Sequence, residues 1–248
     1  MSVFHNNALI GASGQGAGPG PGPGGYEIER SVRFNRPDSP YLSRTPSVTS
    51  NRKTWTWAGW VKRSEFTQTQ FLFYAYSGDS DSGNFQFRFQ PSSSTLRVRF
   101  YNNANAYTSS AVFRDASAWY HVVLAVDTTQ AASADRIKLY INGVLADQLS
   151  GTAPSQNADL AVNDSAAIHT IGISALAVVG SSNSDCLDGY LADVQFIDGL
   201  ALDPTSFGEF DGNGIWQPIE YTNPYSVGTV QFAYNASSTA MDLSLIHI

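Results

Sequence analysis

A largely apolar run, residues 119–127, constrains the fold of this chain more than any other segment. Its side chains are apolar on both faces of an extended strand, which is typical of a strand covered on both sides. Residues 136–142 instead alternate between apolar and polar side chains, so one face of the next strand is expected to meet water. Asn142 and Gly143 tolerate the two positive φ angles of a type I′ turn and predict a hairpin. A buried strand followed by a tight hairpin favours an all-β sandwich.

Short strands separated by turn residues are predicted along the rest of the chain. With 248 residues, 12% of them aromatic and 14% charged, the chain fits one all-β domain. Asp203 and Pro204 can start, and Gly208 can end, one short helical turn. The spacing of Gly, Pro, Asn, Asp and Ser predicts strands near residues 30–35, 54–63, 69–76, 84–90, 95–101, 110–113, 118–127, 136–142, 144–149, 168–173 and 187–198.

The ends of the chain differ from this strand-rich middle. Residues 11–25 consist almost entirely of Gly, Pro, Ala and Ser, which bury little, so 1–25 is expected to be an N-terminal segment with a disordered linker. The sandwich domain is placed at 26–235 and an incomplete C-terminal continuation at 236–248. The last six residues, 243–248, match the translated end of a sequencing adapter and carry no functional argument.

The net charge and the lack of long apolar runs in the sequence argue against several kinds of partner. The net charge is −7 and the isoelectric point is about 4.9, so no basic field favours nucleic acid or an anionic membrane. No long apolar run predicts membrane insertion, and the first ten residues do not resemble a signal peptide. The lone Cys186 cannot form an internal disulfide and is interpreted as a small buried residue.

Three motifs together resemble a known superfamily. Trp119-Tyr120-His121 opens an apolar strand, and Asn142-Gly143 closes the following hairpin. Together with the preceding Gly, residues 190–202 supply a late strand in the pattern Gly, two apolar residues, any residue, Asp and an apolar residue. This order resembles the laminin-G-like and pentraxin-like branch of the concanavalin A-like lectin/glucanase superfamily. The resemblance implies a two-sheet antiparallel jelly-roll sandwich and a lectin-like function.

The beginning of the chain is similar to virion-associated proteins of marine tailed phages, in residues 1–7, 26–35, 41–46 and 53–64. That similarity implies a virion surface or tail-associated adhesion module, such as part of a tail fibre, made in the host cytoplasm without a signal peptide. Its partners would be host-surface glycan or other virion proteins, and copies of the chain on a particle could form a homo-oligomer. A purely structural jelly roll that decorates the particle without a sugar site is the alternative.

The superfamily includes glucanases, whose activity depends on a pair of catalytic carboxylates. Laminarinase-type enzymes carry Glu-x-Asp-x-x-Glu on one strand, which holds a nucleophile and an acid/base about 5 Å apart. The nearest match begins at Glu209 and Asp211, but Gly214 occupies the position of the third acid. We therefore expect no catalytic residues and no enzyme activity, with a glycanase as the weaker alternative.

A calcium site at the rim of the sandwich is the second possibility that the superfamily raises. Asp79, Asp81 and Asn84 offer hard oxygen ligands in one turn, and a second set consists of Asn183, Asp185 and Asp188. Neither set includes a bidentate Glu, and such residues cluster in turns for backbone reasons alone. The expectation is no cofactor, with calcium at Asp79, Asp81 and Asn84 as the alternative.

A pair of strands with three arginines is a further candidate for binding, beside the rim loops and exposed tyrosines. Phe85, Phe87 and Phe89 alternate with polar residues, as do Leu96, Val98 and Phe100 in the next strand; the polar side chains that share the opposite face are Gln86, Arg88, Arg97 and Arg99. Like charges directly opposed destabilise a sheet unless something neutralises them. Either a neighbouring acid does so, or the arginines bind an anionic sugar or an acidic protein segment through bidentate hydrogen bonds.

Aromatic residues divide into core and candidate binding residues. Trp55, Trp57, Trp60 and Trp119 are predicted to be buried, and one inter-sheet core is expected to include Trp119, Val123, Leu139, Ile141, Val194 and Phe196. Tyrosines at strand ends or in loops are predicted to be exposed and able to stack on a sugar ring; these are Tyr74, Tyr76, Tyr101 and Tyr107. The sequence thus predicts a non-catalytic module that binds glycan or virion proteins.

Overall fold

The computed structural model describes residues 25–78, 83–100, 106–146, 150–180, 185–223 and 233–234. Residues 11–24 of the predicted linker and the predicted continuation 236–248 lie outside the described residues. The strands are β1 (Val32–Phe34), β2 (Leu42–Arg44), β3 (Thr54–Arg63), β4 (Gln70–Tyr76), β5 (Asn84–Phe89), β6 (Thr95–Phe100), β7 (Ala106–Val112), β8 (Tyr120–Asp127), β9 (Ile137–Ile141), β10 (Val144–Leu145), β11 (Ser150–Gly151), β12 (Ile168–Ile171), β13 (Gly189–Asp198), β14 (Gly208–Phe210), β15 (Trp216–Pro218) and β16 (Ala233–Tyr234).

Two large antiparallel sheets face each other, which confirms the predicted sandwich. The six-stranded sheet has the order β1-β13-β3-β8-β9-β10, and the eight-stranded sheet has the order β11-β7-β6-β5-β4-β12-β2-β16. Strands β14 and β15 form a separate hairpin. One short helix, α1 (Ala175–Val178), and a 3₁₀ turn at Pro204–Ser206 complete the elements used below. No helix in the described part of the chain is long and apolar enough to cross a membrane.

Aromatic side chains from both sheets interlock in the inter-sheet core. Trp55 of β3 contacts Phe85 of β5 edge to face, with ring centroids 5.0 Å apart and an interplanar angle of 87°. Trp57 contacts Phe87 in the same way at 5.4 Å. These aromatic pairs add about 0.5–1.5 kcal/mol each to the free energy gained by burial alone. The alternation of aromatic residues in β3 and β5 therefore fixes which faces of the two sheets meet.

Strand β8 is covered on both faces, as its apolar run predicts. Leu124 lies in the inter-sheet core, whereas Val123 faces the other way, because successive side chains of a strand point to opposite faces. Val123 packs there with Phe207 and Tyr221, which follow β13 in the chain. The outer face of the six-stranded sheet is thus closed by residues of the C-terminal part of the chain.

The prediction of one shared core is therefore wrong for two of its six residues. Leu139 and Phe196 lie in the inter-sheet core, and Ile141 and Val194 pack at its margin. Trp119 and Val123 are buried instead in two separate clusters on the outer face of the six-stranded sheet. Burial of all four predicted tryptophans, Trp55, Trp57, Trp60 and Trp119, is confirmed.

The predicted turns are confirmed. Asn142 and Gly143, between β9 and β10, have φ angles of 48° and 80°, as a type I′ turn requires. The Asp203 side chain accepts a hydrogen bond from the Thr205 backbone N–H at 2.9 Å and caps the 3₁₀ turn at Pro204. Strand β7 begins at Ala106, four residues earlier than predicted, and β2, β11, β14, β15 and β16 were not predicted.

Candidate functional site

The outer face of the eight-stranded sheet carries a registered array of polar and aromatic side chains. In one row across the sheet, Phe71 pairs with Arg88, Arg88 with Arg97, and Arg97 with Thr108. In the next row, Tyr74 pairs with Gln86 and Gln86 with Arg99. We call Arg88, Arg97 and Arg99 the arginine face. Cβ atoms directly opposite on paired strands lie about 4.5–5.5 Å apart, so these side chains are immediate neighbours.

The local sequence dictates this arrangement. Phe85, Phe87 and Phe89 in β5 are fully buried toward the other sheet, and so are Leu96, Val98 and Phe100 in β6. Because side chains alternate along a strand, the arginines between them must point outward. The predicted grouping of Gln86, Arg88, Arg97 and Arg99 on one face is confirmed by the register of β5 and β6.

The three arginines are partly buried and carry unpaired donors. The Nε atoms of Arg88, Arg97 and Arg99 have no solvent contact and no hydrogen-bond partner. Burial lowers the pKa of Arg88, repulsion by Arg97 and Arg99 adds to the shift, and the nearby carboxylate of Asp185 opposes it. Burial and repulsion by Arg97 likewise lower the pKa of Arg99. Among the described residues, none of the three forms an ion pair with a carboxylate.

Aromatic residues of β4 border the arginine face. The Phe71 ring lies 5.4 Å from Cζ of Arg88, a distance suited to a cation–π interaction. Phe71 also stacks on Tyr74 with ring centroids 5.0 Å apart. Helix α1 covers both rings through Ala175. Phe71 was not among the predicted site residues, because the bulge between Phe71 and Phe73 interrupts the regular alternation of β4.

The predicted exposure of Tyr74 and Tyr107 is wrong. Tyr74 is fully buried beneath α1, its hydroxyl oxygen accepts a hydrogen bond from Nε2 of Gln86 at 3.2 Å, and burial raises its pKa. Tyr107 points into the inter-sheet core and is 8% exposed. Tyr76, at the end of β4, is partly exposed and stands beside Tyr74 at a ring distance of 6.4 Å. Tyr101 lies outside the described residues.

The structure describes only part of each candidate calcium set. Asp79 and Asp81 lie outside the described residues, whereas Asn84 is described and is 7% exposed. In the second set, Asn183 also lies outside them, and its two acids face arginines. Asp188 pairs with Arg33 at 2.8 Å, and Asp185 lies 4.0 Å from Arg36. The described residues contain no group of three or more His, Cys, Asp or Glu that could hold a metal ion.

Glu209 and Asp211 do not form a catalytic pair on a central strand. Glu209 lies in β14, in the separate hairpin, and is exposed. The Asp211 carboxylate accepts hydrogen bonds from the backbone N–H groups of Asn213 and Ile215, which lowers its pKa and assigns it to the hairpin turn. Gly214, where the enzyme motif requires an acid, has a φ of 76° and completes that turn.

A polar cavity of about 420 Å³ lies beside β8 and β9 and is a rival site. Its carboxylates already have partners within the chain. Asp127 accepts hydrogen bonds from Thr129 and Gln130, Asp203 caps the 3₁₀ turn, and Asp135 pairs with Lys138 at 3.1 Å. The arginine face differs because the Nε–H groups of its three arginines have no hydrogen-bond partner among the described residues.

Comparisons with known proteins agree with this geometry at the level of the fold. The laminin-G-like model of the concanavalin A-like lectin/glucanases superfamily matches residues 38–205. A native heptameric SAP-like pentraxin from Limulus polyphemus is 18% identical, with a TM-score of 0.49, over 71% of this chain and 78% of the other. A putative carbohydrate binding protein from Bacteroides ovatus is 15% identical, with a TM-score of 0.49, over 73% of this chain and 46% of the other. The CBM40 of a Ruminococcus gnavus IT-sialidase is 14% identical, with a TM-score of 0.48, over 72% of this chain and 92% of the other. No curated protein sequence matches the chain significantly.

Proposed function

Because the chain belongs to the concanavalin A-like lectin/glucanases superfamily, we propose that it is a non-catalytic carbohydrate-binding module. The superfamily contains both binding proteins and hydrolases, so membership alone leaves these two functions open. The observation that favours binding is the composition of the larger sheet. None of its described strands contains Asp or Glu, and its outer face offers guanidinium, amide and aromatic groups.

Those groups suit a sugar ligand. Arg97 and Arg99 can donate several hydrogen bonds to hydroxyl, carboxylate or sulfate oxygens, and Tyr76 offers a partly exposed ring on which a sugar could stack. Glycosidase chemistry needs an acid and a base or nucleophile on opposite sides of the bond that is cleaved. The described strands of the eight-stranded sheet supply neither group, so a ligand on this face would be held without being hydrolysed.

Glycan-array binding by a tetravalent form of the chain, made by biotinylation and capture on streptavidin, tests the proposal. Several copies are needed because a single shallow face is expected to bind weakly and avidity raises the apparent affinity. Tyr76→Ala should abolish the signal. Tyr140→Ala, in the rival polar cavity, is the matched control and should leave it intact. The reverse pattern would move the site to that cavity, and no binding to any glycan would refute the proposal.

We further propose that the module acts on the virion of a tailed phage, as a surface or tail-associated part that adheres to host glycan. This proposal rests on the resemblance to virion-associated proteins that the sequence suggests in residues 1–7, 26–35, 41–46 and 53–64. A cryo-EM map of particles that encode the chain tests this setting. Density for the module between other virion proteins, together with an array showing no glycan binding, would favour the purely structural alternative.

A further inference from the structure

We propose that the glycan is anionic: the arginine face binds a sulfate or carboxylate group of an acidic polysaccharide. This inference rests on the proposed carbohydrate-binding function and narrows the class of ligand. Arg88, Arg97 and Arg99 would hold the anion, and Tyr76 would contact the sugar ring that carries it.

The first argument is the register of the sheet. Arg88 and Arg97 are directly opposed on β5 and β6, and Arg99 follows Arg97 on the same face. Like charges in opposed positions destabilise a sheet. The described strands of this sheet contain no carboxylate. Asp185, between α1 and β13, offsets part of the repulsion at Arg88, whereas no described carboxylate acts in this way on Arg99. A bound anion between the two strands would remove that penalty.

The second argument is the contrast with other arginines in the same protein. Arg33 pairs with Asp188 at 2.8 Å, and Arg52 pairs with Asp164 at 3.0 Å. Arg136 donates to the backbone oxygens of Gln130, Ala131 and Pro154. A chain with a net charge of −7 has carboxylates to spare, yet among the described ones Asp185 attracts Arg88 and none forms a salt bridge with Arg97 or Arg99. Positive charge therefore accumulates at this face although the chain as a whole is negatively charged.

The third argument concerns the unpaired donors. The Nε–H groups of Arg88, Arg97 and Arg99 are shielded from water and have no partner. A buried donor without a partner is costly. If the guanidinium groups rotate toward a bound carboxylate or sulfate, such donors gain partners in two parallel hydrogen bonds. Burial and mutual repulsion lower the pKa of Arg88 and of Arg99, and a neighbouring negative charge opposes both shifts. The face is therefore organised for an anion.

Binding to matched pairs of polysaccharides tests the inference. Dextran sulfate is compared with dextran, polygalacturonate with its methyl ester, and polyglutamate serves as an acidic chain without sugar. We expect each anionic polysaccharide to bind at least about tenfold more tightly than its uncharged counterpart, because hydrogen bonds between a guanidinium and an anion are stronger than those to a neutral hydroxyl group. Arg97→Gln should remove that preference. Arg30→Gln, which removes the same charge from an exposed position ahead of β1, should preserve it.

The outcomes separate the two proposals. Equal binding of charged and uncharged polysaccharides, unchanged by Arg97→Gln, would refute the anionic ligand and leave the carbohydrate-binding function standing. Binding of polyglutamate as tight as that of the anionic sugars would overturn the inference in favour of an acidic protein partner. No binding to any of the five polymers or to a glycan array would refute both proposals.

Thermal unfolding tests the same inference without a polysaccharide. Without ligand, Arg97→Gln should raise the thermal midpoint by relieving the repulsion with Arg88, and inorganic sulfate should raise the midpoint of the wild type but not that of the variant. Asp79→Asn/Asp81→Asn provides the remaining control, since these acids lie in the segment that joins β4 to β5, outside the described residues. If they neutralise the arginine face, this variant will lower the thermal midpoint and increase affinity for sulfate, which would overturn the inference.

Discussion

Mild acid is expected to destabilise the protein through His121, which lies on the outer face of the six-stranded sheet. The side chain is 2% exposed, and its Nδ1 accepts a hydrogen bond from Nε1–H of Trp216 at 3.0 Å. Trp216 stacks on the imidazole at 24°, and the ring of Trp60 lies 5.0 Å away. A ring that accepts at Nδ1 carries its proton on Nε2 and is neutral. Adding a proton to Nδ1 would break the hydrogen bond and bury a charge.

The sign and size of the effect follow from this burial. Desolvation lowers the pKa of His121 from 6.5 to about 3. Because the unfolded chain takes up the proton near pH 6.5 and the folded protein only near pH 3, stability is complete above pH 6.5 and declines as the pH falls between these values. The slope is about 1.4 kcal/mol per pH unit, so about 2 kcal/mol is lost between pH 7.5 and pH 5. His169, with a pKa lowered by burial to about 4, contributes with the same sign.

Urea unfolding at pH 7.5 and pH 5, followed by tryptophan fluorescence, measures this loss. Burial raises the pKa values of Asp193 and Asp198, which works in the opposite direction but is common to all variants. His121→Gln can still accept the Trp216 hydrogen bond but does not titrate, so its pH dependence should be smaller by about 2 kcal/mol. Trp216→Phe should keep most of the dependence, because burial and not the hydrogen bond is the cause.

The reasoning would be refuted if His121→Gln and the wild type lost the same free energy of unfolding between the two pH values. A direct check is the imidazole titration by NMR in the folded protein. A His121 pKa near 6 would show that water reaches the ring.

Three further outcomes are expected. Arg63 is fully buried, donates a hydrogen bond to the Phe113 carbonyl at 2.7 Å and forms no salt bridge with another described residue. Arg63→Ala should lower the free energy of unfolding in urea by about 3 kcal/mol. Arg63→Met should lower it by less than about 1 kcal/mol, because methionine fills the site without a buried charge. Gly143→Ala should destabilise the protein by about 2 kcal/mol or more, since its φ is 80° and the added Cβ would lie 2.2 Å from Trp216; Gly212→Ala, with open space around it, is the neutral control. Incubation with laminarin should release no reducing sugar, and activity that disappeared in Glu209→Gln would overturn the non-enzyme prediction.

The arginine face could be predicted because two strands and a turn determine it. The period-2 alternation in β5 and β6 assigns the phenylalanines to the core, and the short turn between them sets the register that opposes Arg88 to Arg97. Both signals are local in the sequence, so no knowledge of distant contacts was needed. The same kind of local signal predicted the Asn142-Gly143 hairpin and the cap at Asp203.

The tyrosines could not be placed in this way. Tyr74 is covered by α1, about a hundred residues later in the chain, and the bulge in β4 shifts its alternation. Tyr107 was assigned to a loop because β7 was predicted to begin at residue 110; in the structure β7 begins at Ala106, and Tyr107 faces the core. Burial by a distant element leaves no local pattern, and a strand that begins earlier than predicted gives an inward-facing position to a residue that was assigned to a loop.

The position of the candidate site follows from how the two sheets are covered. Both faces of the six-stranded sheet bury apolar residues, because Phe207, Trp216 and Tyr221 close its outer side over β3 and β8. In the part of the chain that the structure describes, α1 covers the outer side of the larger sheet over Phe71 and Tyr74. Beyond α1, that face presents partly buried arginines, which a purely structural surface would pair with acids. A ligand bound to the larger sheet beyond α1 would therefore supply the anionic partners that other arginines of the chain find in its own carboxylates.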